Sequence, residues 1–202
     1  MTKQYIFDLG NVLARFDPHA LTVACVEDEA IIAPICDVVF DRPYWDLLDN
    51  GTLSDREFKM ILRHRLPKEW QEMGCRVFDE WVQNMPPIAG MEQLVADLKT
   101  SGAGLYLISN ISIGFSETYH QIPWLNDLLS LFDGLVFSGP LQTVKPHAEI
   151  FEYLLHTYQL DPKECLFIDD SPLNINGAAA VGIPGYLFDG DAKKLRTFLK
   201  KT

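Results

Sequence analysis

The sequence predicts an α/β fold in which a parallel sheet is interrupted, after its first strand, by an inserted helical block. Two observations support this prediction. From residue 88 onward, short apolar runs alternate with amphipathic helical segments, which is the pattern of a parallel sheet whose strands are joined by crossover helices. Between the first strand and that region, residues 16–84 show helical periodicity throughout.

The first predicted strand ends in a carboxylate. An apolar run that begins at residue 5 ends in one acid, Asp8, and Gly10 and Asn11 follow closely, which predicts a chain turn. A buried parallel strand of this kind places its acid at the carboxyl edge of the sheet, where open α/β folds bind their ligands. A carboxylate there can bind a metal or act as a nucleophile. The alternative is an Asp that only caps the turn.

The inserted block is predicted to be all helical. Apolar residues recur at helical spacing in residues 21–26, 31–39, 44–48, 58–66 and 70–82. An Asn-Gly pair at residues 50–51 separates the third segment from the fourth. Ser54 and Glu57 fit a capping box at the start of the fourth. Two prolines at residues 86–87 then stiffen the return of the chain.

The rest of the chain alternates helices with strands. Four further strands are predicted, at residues 104–108, 134–137, 165–168 and 185–188. Helices are predicted at residues 90–101, from about 111 to 121, and at 123–132, 147–159, 173–181 and 191–200. The predicted division of the chain is a core of residues 1–15 and 86–202 and a helical domain of residues 16–85.

The composition is that of a globular protein and excludes several classes of partner. The 202 residues suit one domain, or a core with a smaller inserted domain. The formal net charge of −11 argues against a nucleic acid or an anionic membrane as partner, because both reward a basic face. The four cysteines show no metal-ligand spacing, which indicates a reducing compartment. The sequence shows no signal peptide and no membrane span, so a cytoplasmic location is expected.

Polar residues follow the ends of several predicted strands. They are Asp8, Ser109, Asn110, Lys145, Asp169 and Asp170. Asp8 and Asp170, together with Asp169, would form an oxygen-rich pocket suited to Mg²⁺. A hydroxyl, an amide and a lysine charge beside that metal would make a phosphoryl-binding site. A carboxylate at its centre could attack phosphorus and form an aspartyl-phosphate. The alternatives are helix caps and a solvated loop lysine.

The chain resembles the haloacid dehalogenase-like (HAD) superfamily, in its phosphatase-type branch with a helical (C1) cap. The resemblance rests on four short motifs at strand ends, found at residues 7–12, 107–110, 144–146 and 167–171. It implies a Rossmann-like parallel sheet with helices on both faces, a mobile all-helical cap, Mg²⁺ as cofactor and a small phosphate monoester as substrate. The first motif, Asp-Leu-Gly-Asn, is similar to that of a bacterial sugar-phosphate phosphatase subgroup.

The resemblance also implies roles for individual residues. Asp8 would be the nucleophile and a metal ligand, and the carbonyl of Gly10 can face the metal. Ser109, Asn110 and Lys145 would hold the phosphoryl group. Asp170 would be the main further metal ligand, with Asp169 beside it.

Gly10 is a departure from the family pattern. Phosphatases of the family usually carry a second Asp at this position, which protonates the leaving oxygen and later activates water. Two hypotheses could account for its absence. Asp17 could swing in as the acid, or the enzyme could favour esters whose leaving groups need little protonation.

Two other functions compete with the phosphatase. A 2-haloacid dehalogenase would use the same nucleophile to attack carbon and also lacks the second Asp, but it has no evident need for the acid pair Asp169 and Asp170. A non-catalytic protein that binds a phosphorylated ligand would explain Gly10 as the mark of a degraded site.

Overall fold

The computed structural model describes residues 3–201 and shows a five-stranded, all-parallel sheet in an α/β fold. The strands are β1 (Gln4–Phe7), β2 (Gly104–Ser109), β3 (Gly134–Phe137), β4 (Cys165–Asp169) and β5 (Gly185–Leu187). Their order across the sheet is β3-β2-β1-β4-β5. Strands β2 and β3 therefore lie on one side of β1, and β4 and β5 lie on the other side. The predicted α/β fold class is confirmed.

Helices cover both faces of the sheet because the strand residues alternate between two apolar clusters. Ile6, Tyr106 and Phe167 face one cluster, which contains the helix residues Phe151 and Ala178. Tyr5, Phe7, Leu105, Leu107 and Ile168 face the other cluster, which continues without a break into the inserted helices. The strand period of two thus gives the sheet two buried faces, which explains its nearly continuous apolar strands.

Five α-helices lie between β1 and the rest of the core. They are α1 (Pro18–Val23), α2 (Glu29–Val39), α3 (Arg42–Asp49), α4 (Asp55–Arg65) and α5 (Gln71–Glu80), and we call them the helical insertion. The core helices are α6 (Met91–Thr100), α7 (Ile113–Thr118), α8 (Pro123–Leu129), α9 (Ser138–Leu141), α10 (Ala148–Tyr158), α11 (Pro172–Ala180) and α12 (Ala192–Leu199). Short 3₁₀ turns occupy Lys68–Trp70, Tyr119–Gln121 and Pro162–Glu164.

The predicted start of α4 is confirmed. The Ser54 hydroxyl accepts a hydrogen bond from the Glu57 N–H at 3.2 Å, and the Glu57 carboxylate accepts one from the Ser54 N–H at 3.0 Å. One helix was not predicted. The four-residue α9 follows β3 directly, and its sequence, Ser-Gly-Pro-Leu, has two weak helix formers and is too short to show a period.

The two connections to the helical insertion lie side by side. Ala14 and Pro87 form an antiparallel bridge. The Arg15 N–H donates to the Pro86 carbonyl at 2.9 Å, and the Ile88 N–H donates to the Leu13 carbonyl at 2.9 Å. The chain thus leaves and re-enters the core through one paired segment. The division into domains at residues 15/16 and 85/86 stays a prediction.

The helices are short. Across residues 3–201, none combines the length and the apolar character that crossing a membrane requires.

Candidate active site

The candidate site lies at the carboxyl edge of the sheet, where the strand order reverses. Strands β1 and β4 are neighbours, with Phe7 in register with Ile168. The Asp8 N–H extends this pairing by donating to the Ile168 carbonyl at 2.9 Å. Asp8 and Asp169 therefore leave adjacent strands side by side. This is the topological switch point at which α/β sheets open a crevice for ligands.

A buried lysine bridges these two acids. The Lys145 ammonium lies 2.7 Å from Oδ1 of Asp8 and 2.8 Å from Oδ2 of Asp169. Lys145 is only 4% exposed and Asp169 is fully buried. Burial lowers the pKa of Lys145, but the two carboxylates outweigh it and hold that pKa above its usual value. The lysine is therefore a fixed positive charge beside Asp8.

The Asp8 carboxyl experiences opposing influences. Burial raises its pKa, Lys145 lowers it, and the charge of Asp169 raises it again. The Leu9 N–H donates to Oδ1 at 2.7 Å and also lowers the pKa. The net direction of the pKa is upward, because the effect of burial, reinforced by the charge of Asp169, outweighs that of the ammonium. A further positive charge at this place would favour the ionised form of Asp8.

Asp169 is held by neighbours on both of its oxygens. Oδ1 accepts from the Ser171 N–H at 2.8 Å and from the Asn174 amide at 3.0 Å. Oδ2 accepts from Lys145 and, at 3.1 Å, from the same Asn174 amide. The carboxylate thus fixes the lysine in place. Sequence reasoning placed Asp169 at the site but did not predict this partnership.

Asp170 points to the same edge and is tied to the first turn of the chain. Burial and the charge of Asp169 raise its pKa, whereas a hydrogen bond with Asn11 lowers it. Asn11 has a φ of 55°, a left-handed conformation that asparagine tolerates better than most residues. Its Oδ1 also accepts from the Phe16 N–H at 3.1 Å. Asn11 therefore both shapes the turn after Asp8 and positions Asp170.

The Asn110 side chain holds the backbone of Lys145 in place. The Lys145 N–H donates to Oδ1 of Asn110 at 2.8 Å, and the Asn110 amide donates to the Lys145 carbonyl at 3.0 Å. Ser109, at the end of β2, is buried and lines the same cavity. The structure therefore brings together Asp8, Gly10, Ser109, Asn110, Lys145, Asp169 and Asp170.

Three carboxylates converge tightly enough to share a cation. One ligand oxygen each from Asp8, Asp169 and Asp170 lies within 4.8 Å of the others. This is the one such acidic cluster found in residues 3–201. A single ammonium faces these three carboxylates, so the donor set has an excess of negative charge and of hard oxygen ligands. Such a set fits a divalent oxygen-seeking cation.

A cavity of about 360 Å³ opens above these residues. Its other wall comes from the helical insertion and the segment flanking it: Phe16, Arg42, Trp45, Asp49, Trp81 and Met85. The rings of Phe16, Trp45 and Trp81 pack together, with centroids 5.1–5.7 Å apart. One wall therefore offers charges and hydrogen bonds, and the other offers mainly aromatic surface.

Asp17 does not line this cavity. Its carboxylate caps α1 by accepting a hydrogen bond from the Ala20 N–H at 3.1 Å. Gly10 does line the cavity, and a Cβ built there would meet nothing within 4 Å.

Asn11, Phe16 and Asp49 contribute to the site but were not predicted. The turn pattern at residues 10–11 was the available signal for Asn11, whereas neither motif nor spacing singles out Asp49.

Comparison with curated proteins identifies two phosphatases among the relatives. The sesquiterpene phosphatase astK of Aspergillus oryzae is 26% identical over 183 residues, which are 91% of this chain and 88% of that protein. The D-ribitol-5-phosphate phosphatase of Bacteroides thetaiotaomicron is 25% identical over 193 residues, which are 90% of this chain and 89% of that protein.

Comparison with solved structures supports the fold. A wild-type HAD family enzyme of Bacteroides thetaiotaomicron, crystallised with magnesium and inorganic phosphate, has a TM-score of 0.71 and 21% identity to this chain. The match covers 96% of this chain and 99% of that one. The sequence model of the haloacid dehalogenase-like hydrolases matches residues 2–182. That model matches most of the chain, and the candidate site lies at the sheet edge that the four motifs predict. This chain therefore belongs to the haloacid dehalogenase-like hydrolases.

Proposed function

We propose that the protein is a Mg²⁺-dependent phosphatase that hydrolyses a small phosphate monoester through an aspartyl-phosphate on Asp8. The observation that carries this proposal is the position of Asp8. Its carboxylate lines the cavity, lies 2.7 Å from the Lys145 ammonium and shares an acidic cluster with Asp170. An ionisable nucleophile beside a fixed cation and a cation site suits phosphoryl transfer.

The metal would be held by Asp8, Asp170 and the carbonyl of Gly10. Asp169 is the weaker candidate, because Lys145, Asn174 and the Ser171 N–H already engage both of its oxygens. A bound Mg²⁺ would neutralise charge on the phosphoryl group and on the acids around it. The magnesium and phosphate in the Bacteroides HAD family enzyme support Mg²⁺ as the metal.

The chain's own residues would act in sequence. The Ser109 hydroxyl and the Lys145 ammonium would bind the phosphoryl oxygens. One oxygen of Asp8 would attack phosphorus as the ester oxygen leaves, and water would then cleave the aspartyl-phosphate. Asn110 and Asp169 would keep Lys145 in place through their hydrogen bonds to its backbone and ammonium.

The cavity favours a small substrate with some apolar surface. A volume of about 360 Å³ is at the lower end for small-molecule pockets. The aromatic wall of Phe16, Trp45 and Trp81 would pack against the C–H face of a sugar or polyol phosphate, or against a terpenoid chain. The two curated relatives are named for a ribitol phosphate and a sesquiterpene, and they support both substrate types. We favour the sugar phosphate, which the first motif also indicates.

Metal dependence tests the proposal. We expect wild-type protein to hydrolyse para-nitrophenyl phosphate with Mg²⁺ and to lose that activity in EDTA. Mg²⁺ should also raise the melting temperature of the wild type, because it relieves repulsion between the acids. The Asp170→Asn variant should need at least about 10–100 times more Mg²⁺ for both effects. Turnover of a 2-halo acid that is indifferent to EDTA, without phosphate ester hydrolysis, would instead establish the dehalogenase.

A further inference from the structure

The proposed reaction lacks a proton donor at the usual position. Gly10 offers no side chain, and the space beside its Cα is open, since a Cβ there would meet nothing within 4 Å. An alcohol leaves phosphorus poorly as an alkoxide, so an enzyme acting on alkyl esters needs an acid near the ester oxygen. That acid has to reach the cavity from another element.

Asp49 is an acid in that cavity for which the fold has no other evident use. It is the last residue of α3, it is 8% exposed, and it lines the same cavity as Asp8 and Gly10. Within residues 3–201 its carboxylate forms no hydrogen bond or ion pair. A negative charge at a helix C-terminus is unfavourable. Neither helix capping nor pairing therefore explains a buried acid here.

The backbone at Asp49 is fixed against the core. The Ser138 hydroxyl donates to the Asp49 carbonyl at 2.5 Å, and it accepts from the Ile111 N–H at 2.7 Å. Two residues on, Gly51 has a φ of 71°, and a Cβ there would lie 2.2 Å from the Gly139 carbonyl oxygen. Close contact between these two backbones thus locates the end of α3 over the site.

We propose that Asp49 is the general acid and base of the reaction, supplied by the helical insertion in place of the acid that is absent at Gly10. This inference rests on the proposed phosphatase function. It makes Asp49 a catalytic residue that touches the ester oxygen and the attacking water. Asp17 is left with its role as the cap of α1.

The two chemical steps balance with Asp49 in this role. In the first, an Asp8 oxygen bonds to phosphorus, the bond from phosphorus to the alcohol oxygen breaks, and the proton of Asp49 moves to that oxygen. In the second, a water oxygen bonds to phosphorus, the bond from Asp8 to phosphorus breaks, and a water proton returns to Asp49. The sum is ester plus water giving alcohol plus inorganic phosphate.

The electrostatic surroundings of Asp49 agree with this role. Burial is the main influence and raises its pKa to about 6; Arg42 lowers it, Asp46 raises it and Lys145 lowers it. Arg42 and Asp46 belong to α3 itself. Of the two helices that pack against α3, α9 has no ionisable side chain, and no charged group of α4 is among the influences on the pKa of Asp49. A general acid works best when its pKa lies near the working pH. An exposed Asp would already be ionised there.

The test compares two esters in the Asp49→Asn variant. Propyl phosphate has a leaving group that needs a proton, whereas para-nitrophenyl phosphate hardly needs one. We expect turnover of propyl phosphate to fall by about 10²–10⁴-fold. With para-nitrophenyl phosphate, we expect one equivalent of nitrophenol to be released at near wild-type speed. Later turnovers should be slow, because this ester does not need Asp49 as the acid in the first step but still needs it as the base in the second.

Controls separate this role from a structural one. Asp28→Asn makes the same substitution at the exposed cap of α2 and should leave both esters unaffected. Equal slowing of nitrophenol release and propyl phosphate turnover in Asp49→Asn would overturn the proposal, as would loss of propyl phosphate turnover in Asp17→Asn instead. If wild-type protein hydrolyses neither ester, the proposed phosphatase itself is wrong. If it hydrolyses both and Asp49→Asn matches it, only the role of Asp49 is wrong.

Discussion

Replacing Asp8 with asparagine should abolish phosphate ester hydrolysis. The proposed nucleophile is a carboxylate oxygen, and an amide oxygen in the same place cannot form a stable acyl phosphate. Losses on the order of 10⁴-fold or more are typical when a covalent nucleophile is removed. The expected result is therefore turnover of para-nitrophenyl phosphate at or near the uncatalysed rate in saturating Mg²⁺. That ester is the appropriate substrate because its hydrolysis hardly depends on a general acid.

The Asp8→Asn variant should fold normally, which makes it a clean test. Its Oδ1 can still accept from the Leu9 N–H, and Lys145 keeps its bond to Asp169. Urea unfolding should confirm that stability is retained. Near wild-type hydrolysis by a folded Asp8→Asn variant would contradict the assignment of Asp8 as nucleophile.

Replacing Lys145 with methionine should cost both activity and stability. The lysine is buried between Asp8 and Asp169, so its removal leaves two buried carboxylates facing each other without a counter-charge. Breaking a buried ion pair in this way costs about 3–5 kcal/mol in the free energy of unfolding. Hydrolysis should also be lost, because the phosphoryl group loses its fixed cation. Urea unfolding at neutral pH and steady-state kinetics measure the two effects.

A matched control is available in Lys99→Met. Lys99 pairs with Asp133 at 2.5 Å, but their side chains are 36% and 41% exposed, and such pairs contribute about 0–1 kcal/mol. The loss at Lys145 should therefore be several times larger. Adding Asp169→Asn to Lys145→Met should restore part of the stability. Equal losses of stability at the two lysines would contradict this explanation, and so would no recovery in the double variant. Either result would show that repulsion between the buried carboxylates of Asp8 and Asp169 does not cause the loss.

The Lys145→Met defect should also depend on pH. The Asp8 pKa is already raised in the folded protein, and losing the lysine removes an influence that lowers it. A carboxyl whose folded pKa lies above its unfolded pKa binds more protons in the folded state. Stability then rises as the pH falls through the folded pKa. The difference between variant and wild type should therefore shrink on acidification.

Much of the fold could be predicted because its signals are local. Each strand is a short apolar run bounded by turn residues, as at residues 104–108, and the observed β2 extends only one residue further. The acids and polar groups of the site follow strand ends directly, and a parallel sheet brings all those ends to one edge. Asp8, Ser109 and Asp170 could thus be placed together from sequence order and strand polarity.

What could not be predicted depends on contacts between distant elements. Asp49 is one of two acids on the amphipathic helix α3, and only the docking of α3 on Ser138 and Gly139 shows that it is buried over the site. Likewise, the family resemblance ranks Asp170 above Asp169 as a metal ligand, but it does not show what Asp169 contacts. Their different roles follow from which of them Lys145 and Asn174 reach.

The most direct test of the central claim is to trap the phosphorylated enzyme. A phosphate ester labelled on phosphorus would be mixed with Mg²⁺-loaded protein, quenched in acid within one turnover, and the protein digested. We expect one label per chain, released by hydroxylamine as an acyl phosphate should be, on the peptide that contains Asp8. The label should persist longer in Asp49→Asn and be absent from Asp8→Asn. Hydrolysis without any labelled protein, or a label on a different residue, would contradict the aspartyl-phosphate route.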